Sequence, residues 1–348
     1  MEKFVQLIEL EKDNSTPSHY SFQSYEALCK IYIKHKDFDN FCDNFSKLVE
    51  LYPKVDDIHK QDTIREIGFA LADVNEEDFC VAVLRTILDM LKEKQGTDKS
   101  IDREIMSTGV QFAKSLLSLN KYEELGELLD ELFMMIDRLD NSNDDENLKS
   151  YRLELLVIKI QFCNYMKFTK ESKKLYLEAN DLNQDMTIND IKLSAIINEE
   201  GGKLFMGQRD FVKALEKFKL AFYNYMESGN NANAKIIIKY AILCSIIARD
   251  NKNMVSQEEV KFYKNDEQLT AMLALQQAYE EMNIYSINDI WNNRICNKES
   301  DPFILEHLNE ILHNIRFNYI RSKLNAYKRC KFTSLEKVFV INLVCLFL

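Results

Sequence analysis

The segment GGKLFMGQRDFVKALEKFKLAF, residues 201–222, has the residue spacing of a tetratricopeptide-type helical hairpin. Its small residues would let two helices approach closely, while its phenylalanines would fill the space between them. A larger side chain at a small position would overpack the hairpin, so the pattern constrains both helices. The residues that this spacing places in the repeat core are Gly202, Phe205, Phe211, Ala214, Phe218 and Ala221.

A charged residue, an aromatic residue and then an apolar helical stretch recur upstream of this hairpin. The aromatic residues of the series are Phe38, Phe79, Tyr122, Phe168 and Phe211, at steps of 41, 43, 46 and 43 residues. Each step is long enough for two helices of about four to five turns and two short loops. Five such signatures in register predict a solenoid of helical hairpins.

Composition narrows the fold and the class of function. Eight Gly and three Pro among 348 residues leave too few turn residues for a many-stranded β architecture, so an all-α fold is expected. The net charge of −11 disfavours general polyanion binding, and no nucleic-acid partner is expected. The eight cysteines are spread singly, as in proteins of a reducing compartment. No window holds the roughly 18 apolar residues of a membrane span, so no membrane partner is expected.

Polar runs and helix-capping residues predict the remaining loops and helices. The polar runs DNSNDDEN, residues 140–147, and RDNKNMVSQ, residues 249–257, are predicted to be exposed loops. The apolar stripe in DEQLTAMLALQQAYEEM, residues 266–282, predicts a helix with acids before its N-terminus. Further on, Asp301 is expected to cap, and Pro302 to open, a long helix over 303–328.

Two basic patches stand out in this acidic chain. One lies near the end of the first hairpin, at Lys30, Lys34 and Lys36, and is a candidate contact for an acidic protein or a polyanion. The other is the stretch from residue 316 to 331, which overlaps the second half of the predicted long helix. It carries six positive charges and no acid, and is a candidate subunit contact. A solvated helix face is the alternative for both. Besides Lys331, the charges of the second patch are the candidate contact residues Arg316, Arg321, Lys323, Lys328 and Arg329.

Titratable groups give no catalytic pattern. The five histidines are scattered, and His307 and His313 are six residues apart, which puts them on different faces of one helix. Motifs for metal hydrolysis, for a serine nucleophile and for a phosphate loop are missing. We therefore predict no catalytic residues, no metal ligands and no resident cofactor, and we expect the chain not to be an enzyme.

Several longer motifs resemble a known family. They are EEGGKLFMGQRDF from residue 199, YKNDEQLTAM from residue 263 and DPFILEHLNEILHNIR from residue 301. Between about residues 150 and 332 the chain resembles the PCI family of the proteasome lid, the COP-nine signalosome and initiation factor three. Within that family it is most similar to the subunit-two branch of the signalosome. The proteasome-lid branch, non-ATPase subunit six, shares the hairpins and the DP helix but matches YKND less well.

This resemblance implies a fold and domain boundaries. The fold is a right-handed helical-hairpin solenoid that leads into a PCI helical bundle and then into a winged helix. The corresponding divisions are 1–215 for the N-terminal repeat arm, 216–332 for the PCI helical part and 333–348 for an incomplete start of the winged helix. The final stretch VFVINLVCLFL is apolar, so we expect it either to pack against the basic helix or to reflect a truncated or misread coding sequence.

The resemblance also implies a function. Subunit-two proteins are non-catalytic scaffolds that grip a cullin-RING ubiquitin ligase with their N-terminal repeats. They support cullin deneddylation by a partner metalloprotease subunit, contact other PCI subunits and occur in cytoplasm and nucleus. An inositol polyphosphate is associated with basic residues of the arm. Lys30 and Lys34 match those positions, whereas Gln23 and Glu26 stand where other bases are expected. The alternatives are a proteasome-lid subunit and a free-standing peptide-binding repeat protein.

Overall fold

The computed structural model describes residues 2–11, 19–51, 57–72, 74, 76–94, 99–140, 146–185, 190–248, 266–281 and 284–290, and single positions between 301 and 325. All regular elements among these residues are α-helices, so the predicted all-α fold is confirmed for the described part. The chain divides into two compact units, residues 1–186 and 187–348. The predicted boundary after residue 215 falls inside a continuous helix, Phe211–Glu227.

Nine helices are described in the first unit. They are α1 (Glu2–Glu11), α2 (His19–His35), α3 (Phe38–Leu51), α4 (Asp57–Ala72), α5 (Glu77–Lys92), α6 (Lys99–Ser118), α7 (Tyr122–Asp140), α8 (Glu146–Tyr165) and α9 (Thr169–Asp185). Five are described in the second unit. They are α10 (Ile191–Gly207), α11 (Phe211–Glu227), α12 (Asn231–Ala248), α13 (Glu267–Glu280) and α14 (Ile284–Ile290).

The five aromatic positions mark the starts of alternate helices. Phe38, Tyr122 and Phe211 are the first residues of α3, α7 and α11. Phe79 is the third residue of α5, and Phe168 directly precedes α9. Each hairpin therefore has its first helix before the aromatic residue and its second helix after it. The repeat predicted from the sequence is confirmed at all five positions.

A single type of turn joins the two helices in most hairpins. At Lys36 the backbone is left-handed, with φ 58°, and the Asp37 amide donates to the Tyr32 carbonyl over 3.0 Å. This is a Schellman turn, in which a residue with positive φ lets the last carbonyls of a helix find donors. The same turn recurs in the hairpins that follow, with left-handed residues at Asn120, Lys167 and Arg209. The charged residue of the sequence signature is thus part of the turn.

Neighbouring hairpins stack side by side within the first unit. Helix α2 packs against α4, α4 against α6, and α6 against α8, while α3 packs against α5. Ion pairs cross the same boundaries between residues about one repeat apart, for example Lys92 to Glu131 at 2.6 Å and Lys121 to Asp78 at 2.9 Å. Exposed pairs of this kind contribute about 0–1 kcal/mol each, so apolar packing dominates the stacking. Three buried phenylalanines, Phe22, Phe41 and Phe45, belong to the continuous core beneath.

The second unit has its own core, built from α10 to α14. Phe218 and Phe222 of α11 are fully buried in it, together with much of the apolar helix α12. The predicted acidic start of α13 is confirmed, because Asp266 accepts a hydrogen bond from the Leu269 amide at 2.9 Å. Residues 141–145 of the first predicted loop and all of the second, 249–257, lie outside the described residues, as do residues 333–348. Residues 140, 146 and 147 of the first loop are helical.

Candidate interaction surface

Lys30 lies on α2 between two carboxylates. Its Nζ donates to Glu26 Oε1 at 2.7 Å and to Glu66 Oε2, on α4, at 3.3 Å. Glu26 also accepts a hydrogen bond from the hydroxyl of the buried Thr63 at 3.1 Å, so its position is fixed from both sides. Partial burial opposes the charge on Lys30, but its hydrogen bonds to Glu26 and Glu66 and the negative charges of these carboxylates outweigh it and raise the pKa of this lysine.

The other two predicted cations of this patch have different surroundings. Lys36 occupies the left-handed turn position and pairs with Glu76, the residue that precedes α5. Lys34 is exposed at the end of α2, and within the described part of the chain it has no ion-pair partner. The three lysines therefore do not form one free cationic cluster, since two of them are neutralised by the neighbouring repeat.

This arrangement bears on the inositol polyphosphate that the family resemblance implies. A bound polyphosphate at Lys30 would face the carboxylates of Glu26 and Glu66, which already hold the ammonium group. Like charges at such short range oppose each other. The residues present around Lys30 thus do not fit this ligand.

The predicted repeat-core residues lie together in the second unit. Ala214, Phe218 and Ala221 are fully buried on α11, and Phe205 and Phe211 pack against the same core at its edge. Gly202 is buried on α10 against the ring of Phe218. This cluster packs the two helices of the hairpin together.

A polar network that the sequence motifs did not predict lies beside this cluster. Lys203 Nζ contacts Glu199 Oε1 at 2.7 Å and Glu200 Oε1 at 3.0 Å, and the Tyr225 hydroxyl donates to Glu199 Oε2 at 2.6 Å. Burial disfavours the charge of Lys203, but the nearby carboxylates outweigh it and raise its pKa well above the usual value. Adjacent acids followed by a lysine in an apolar helix were the available signal, in the motif EEGGK.

A second tyrosine ties α12 to the segment with the DP motif. The hydroxyl of Tyr240 donates to Asp301 Oδ2 at 2.6 Å, and Asp301 Oδ1 accepts from the Phe303 amide at 3.0 Å. The predicted capping role of Asp301 is therefore confirmed. Burial and the bond to Asp301 raise the pKa of Tyr240, so the hydroxyl keeps its proton and remains a donor.

The basic patch near the end of the chain is described at one residue. Arg321 is helical and exposed. Arg316, Lys323, Lys328 and Arg329 lie outside the described residues, as do most positions of the predicted long helix. Their role as a subunit contact stays a prediction.

Among the described residues, no group of three or more His, Cys, Asp or Glu side chains could hold a metal ion. Burial raises the pKa of the Cys29 thiol to about 12 and of the Cys163 thiol to about 11, so both remain protonated near neutral pH. None of the described helices is long and apolar enough to cross a membrane.

Comparison with known proteins places these features in context. No protein-family model matches the chain. It is 27% identical over 344 residues to COP9 signalosome complex subunit 2 of Dictyostelium discoideum. The aligned region covers 97% of this chain and 73% of the relative. The same-named protein of Drosophila melanogaster is 25% identical over 326 residues, 93% of this chain and 71% of the relative.

A third relative tests the alternative from the same fold. The probable 26S proteasome regulatory subunit rpn-6.2 of Caenorhabditis briggsae is 28% identical over only 97 residues, 27% of this chain and 24% of the relative. The resemblance predicted from the motifs is therefore confirmed. It extends through the N-terminal repeats, beyond the region from 150 to 332 where the motifs are densest.

Proposed function

We propose that this chain, a relative of the COP9 signalosome subunit 2 proteins over nearly its whole length, is a signalosome subunit that serves as a non-catalytic scaffold. Its N-terminal repeats contact a cullin-RING ubiquitin ligase, and the region after them contacts other PCI subunits. In this role it supports cullin deneddylation by a partner metalloprotease subunit, in cytoplasm and nucleus. The observation that carries the proposal is the extent of the similarity, 97% of this chain in one relative.

The architecture supports a scaffold. In a stack of hairpins each repeat contacts only its neighbours, which creates a long continuous surface of the kind that repeat proteins use for binding. Apolar packing holds this stack together, and ion pairs such as Lys92 with Glu131 and Arg85 with Glu124 join its successive repeats at the surface. The exposed Lys34 and Arg321 remain available to acidic groups on partners.

Depletion of the chain from cells of its source organism tests this function. Neddylated cullin should accumulate, and the wild-type chain should restore the normal ratio. Unchanged cullin neddylation, together with accumulation of polyubiquitinated substrates, would instead support the proteasome-lid alternative, for which the match over 97 residues is the supporting observation. The purified chain should show no isopeptidase activity toward neddylated cullin, with or without added zinc.

A free-standing peptide-binding repeat protein is the alternative from another class. It is motivated by the stacked hairpins of the first unit, which resemble peptide-binding arrays. In that case depletion would leave both cullin neddylation and proteasome substrates unchanged, and a peptide array probed with the purified chain would show short linear ligands.

A further inference from the structure

Helix α9 carries three exposed lysines. Lys170, Lys173 and Lys174 all face solvent, and within the described residues none of them makes an ion pair. Cations on the adjacent helix α8 behave differently. Arg152 contacts Asp137 at 3.0 Å and Glu178 at 2.9 Å, and Lys159 contacts Asp130 at 3.0 Å. Among the described residues, the α9 lysines therefore take no part in the ion pairs that join the helices.

Large apolar side chains are exposed on α9 and at its N-terminal end. Leu177 is 49% exposed and lies three and four residues after Lys174 and Lys173, which places it on the same face of the helix. Phe168, which directly precedes α9, is 49% exposed, and Tyr165, the last residue of α8, is 61% exposed. Aromatic side chains are enriched at protein–protein interfaces relative to the rest of the surface.

The surface is held in place by the hairpin itself. The ring of Tyr165 stacks on that of Tyr122 with centroids 4.0 Å apart, and the Phe168 amide donates to the Cys163 carbonyl at 2.8 Å. Helix α9 buries only a narrow stripe that includes Ser172, and the Ser172 hydroxyl donates to the Asn164 side chain on α8. The side chains are thus presented on a fixed support, which lowers the entropy lost on binding.

We propose that this surface, the α9 face, binds an acidic segment of a partner protein that also carries large apolar side chains. We define the α9 face by Tyr165, Phe168, Lys170, Lys173, Lys174 and Leu177. Carboxylates of the partner pair with the three lysines, and its apolar side chains cover Leu177 and the two aromatic rings. The binding surface is assigned from its charge and exposure alone, and so does not depend on the proposed function.

A protein segment fits the α9 face better than a uniform polyanion. Glu171 lies between Lys170 and Lys173, and Asp181 lies one turn beyond Leu177, so a dense row of phosphates or sulfates would meet both carboxylates. The apolar side chains would also stay uncovered by such a ligand. A peptide can place its acids opposite the lysines and its apolar groups opposite Leu177, which satisfies both kinds of contact.

Fluorescence anisotropy with the full chain tests the proposal. The probe is a labelled twelve-residue peptide of Asp and Glu with one Phe and one Leu. Two variants remove the contacts separately: Lys170→Gln/Lys173→Gln/Lys174→Gln and Leu177→Gln. A matched control replaces three exposed lysines on other helices, Lys3→Gln/Lys47→Gln/Lys192→Gln. Circular dichroism and thermal melting verify that all variants keep the wild-type helicity and stability.

We expect wild type to bind this peptide with a Kd in the micromolar range. The triple substitution on α9 should raise Kd about tenfold or more, which corresponds to about 1.4 kcal/mol for the three charge contacts together. Leu177→Gln should raise it about fivefold, equivalent to burial of roughly one methylene or two. The control triple should stay within about twofold of wild type, because each of its charges lies elsewhere.

Three results would overturn the proposal. The first is an absence of binding at millimolar peptide, and the second is an equal loss of affinity in the control triple. The third is heparin binding that is tighter than peptide binding, is lost with the α9 lysines and is unchanged by Leu177→Gln. This result would assign the α9 face to sulfate or phosphate groups. Because cullin neddylation in cells is a separate readout, each of these results leaves the proposed function open to its own test.

Discussion

Gly202 on α10 and Phe218 on α11 touch so closely that no β-carbon fits between them. A β-carbon built on Gly202 would come within 2.5 Å of Cε1 of Phe218. The ring cannot move away easily, since it is fully buried and lies 5.5 Å from the ring of Tyr240. The small residue at this position therefore sets the distance between the two helices.

Replacement of this glycine should destabilise the second unit. We expect Gly202→Ala to lower the free energy of unfolding by about 1–3 kcal/mol, because the added methyl overpacks the helix contact. Gly207→Ala is the matched control, since nothing lies within 4 Å of a β-carbon there and alanine favours the helix. Urea denaturation of both variants measures the difference, and equal effects would show that the Phe218 contact does not govern the spacing.

At a left-handed turn, a substitution should raise the free energy of unfolding. Arg209 has φ 62°, a conformation that costs energy for any residue with a β-carbon, so Arg209→Gly should raise the free energy of unfolding by about 1 kcal/mol. At the next turn Gly229 has φ 75° with open space around it, and Gly229→Ala should cost about the same amount. Thermal unfolding measures both, and destabilisation by Arg209→Gly would contradict the account of the turn.

A buried carboxyl on α6 predicts a pH dependence. Glu104 is 4% exposed, and burial raises its pKa from about 4.5 to about 8. The folded chain therefore keeps a proton that the unfolded chain releases, and stability falls as pH rises through this window. The slope is at most about 1.4 kcal/mol per pH unit. Above about pH 8 both states are ionised, and the effect is complete.

Glu104→Gln removes this titration while it keeps the size of the side chain. Between about pH 5 and pH 8 the difference in unfolding free energy between wild type and the variant should change steadily in favour of the variant. Tyr151 on α8 faces the same site, and its pKa is also raised, chiefly by burial, so it stays neutral over this range. Chemical denaturation at several pH values gives the difference, and parallel curves would show that Glu104 ionises freely in the fold.

In the network around Lys203, removal of one charged member should destabilise the fold because its partners are then left uncompensated. Lys203→Met leaves Glu199 and the nearly buried Glu200 without their cation, which should cost about 3 kcal/mol. Lys203→Met/Glu200→Gln should recover part of this loss, because one of the uncompensated charges is then gone. Denaturant titration of the two variants is the measurement. A double variant less stable than the single one would indicate that Glu200 stabilises the fold through another partner.

Local signals made the repeats predictable from sequence. The aromatic residue after each turn and the charged residue within it depend only on nearby backbone, so positions such as Phe38 and Phe211 could be recognised without tertiary information. The same holds for Asp301, whose cap bond spans two residues. The resemblance itself rested on motifs in which several such features coincide.

Contacts between helices could not be predicted from local sequence. Lys30 pairs with Glu26, four residues earlier on the same helix, but its second partner Glu66 lies on the next hairpin, 36 residues away. Tyr225 and Glu199 meet only when α10 and α11 are packed together, and the exposure of Lys173 and Leu177 follows from which face of α9 the hairpin buries. The packing of the helices decides all of these contacts and exposed positions, and the linear pattern of residues predicts little of that packing.

Native mass spectrometry of the complex that forms around the tagged full-length chain tests the central claim most directly. The account predicts a stable assembly that contains other PCI subunits and a metalloprotease subunit, with a cullin present in a fraction of the particles. Recovery of proteasome ATPases and lid subunits, without signalosome subunits or a cullin, would contradict it.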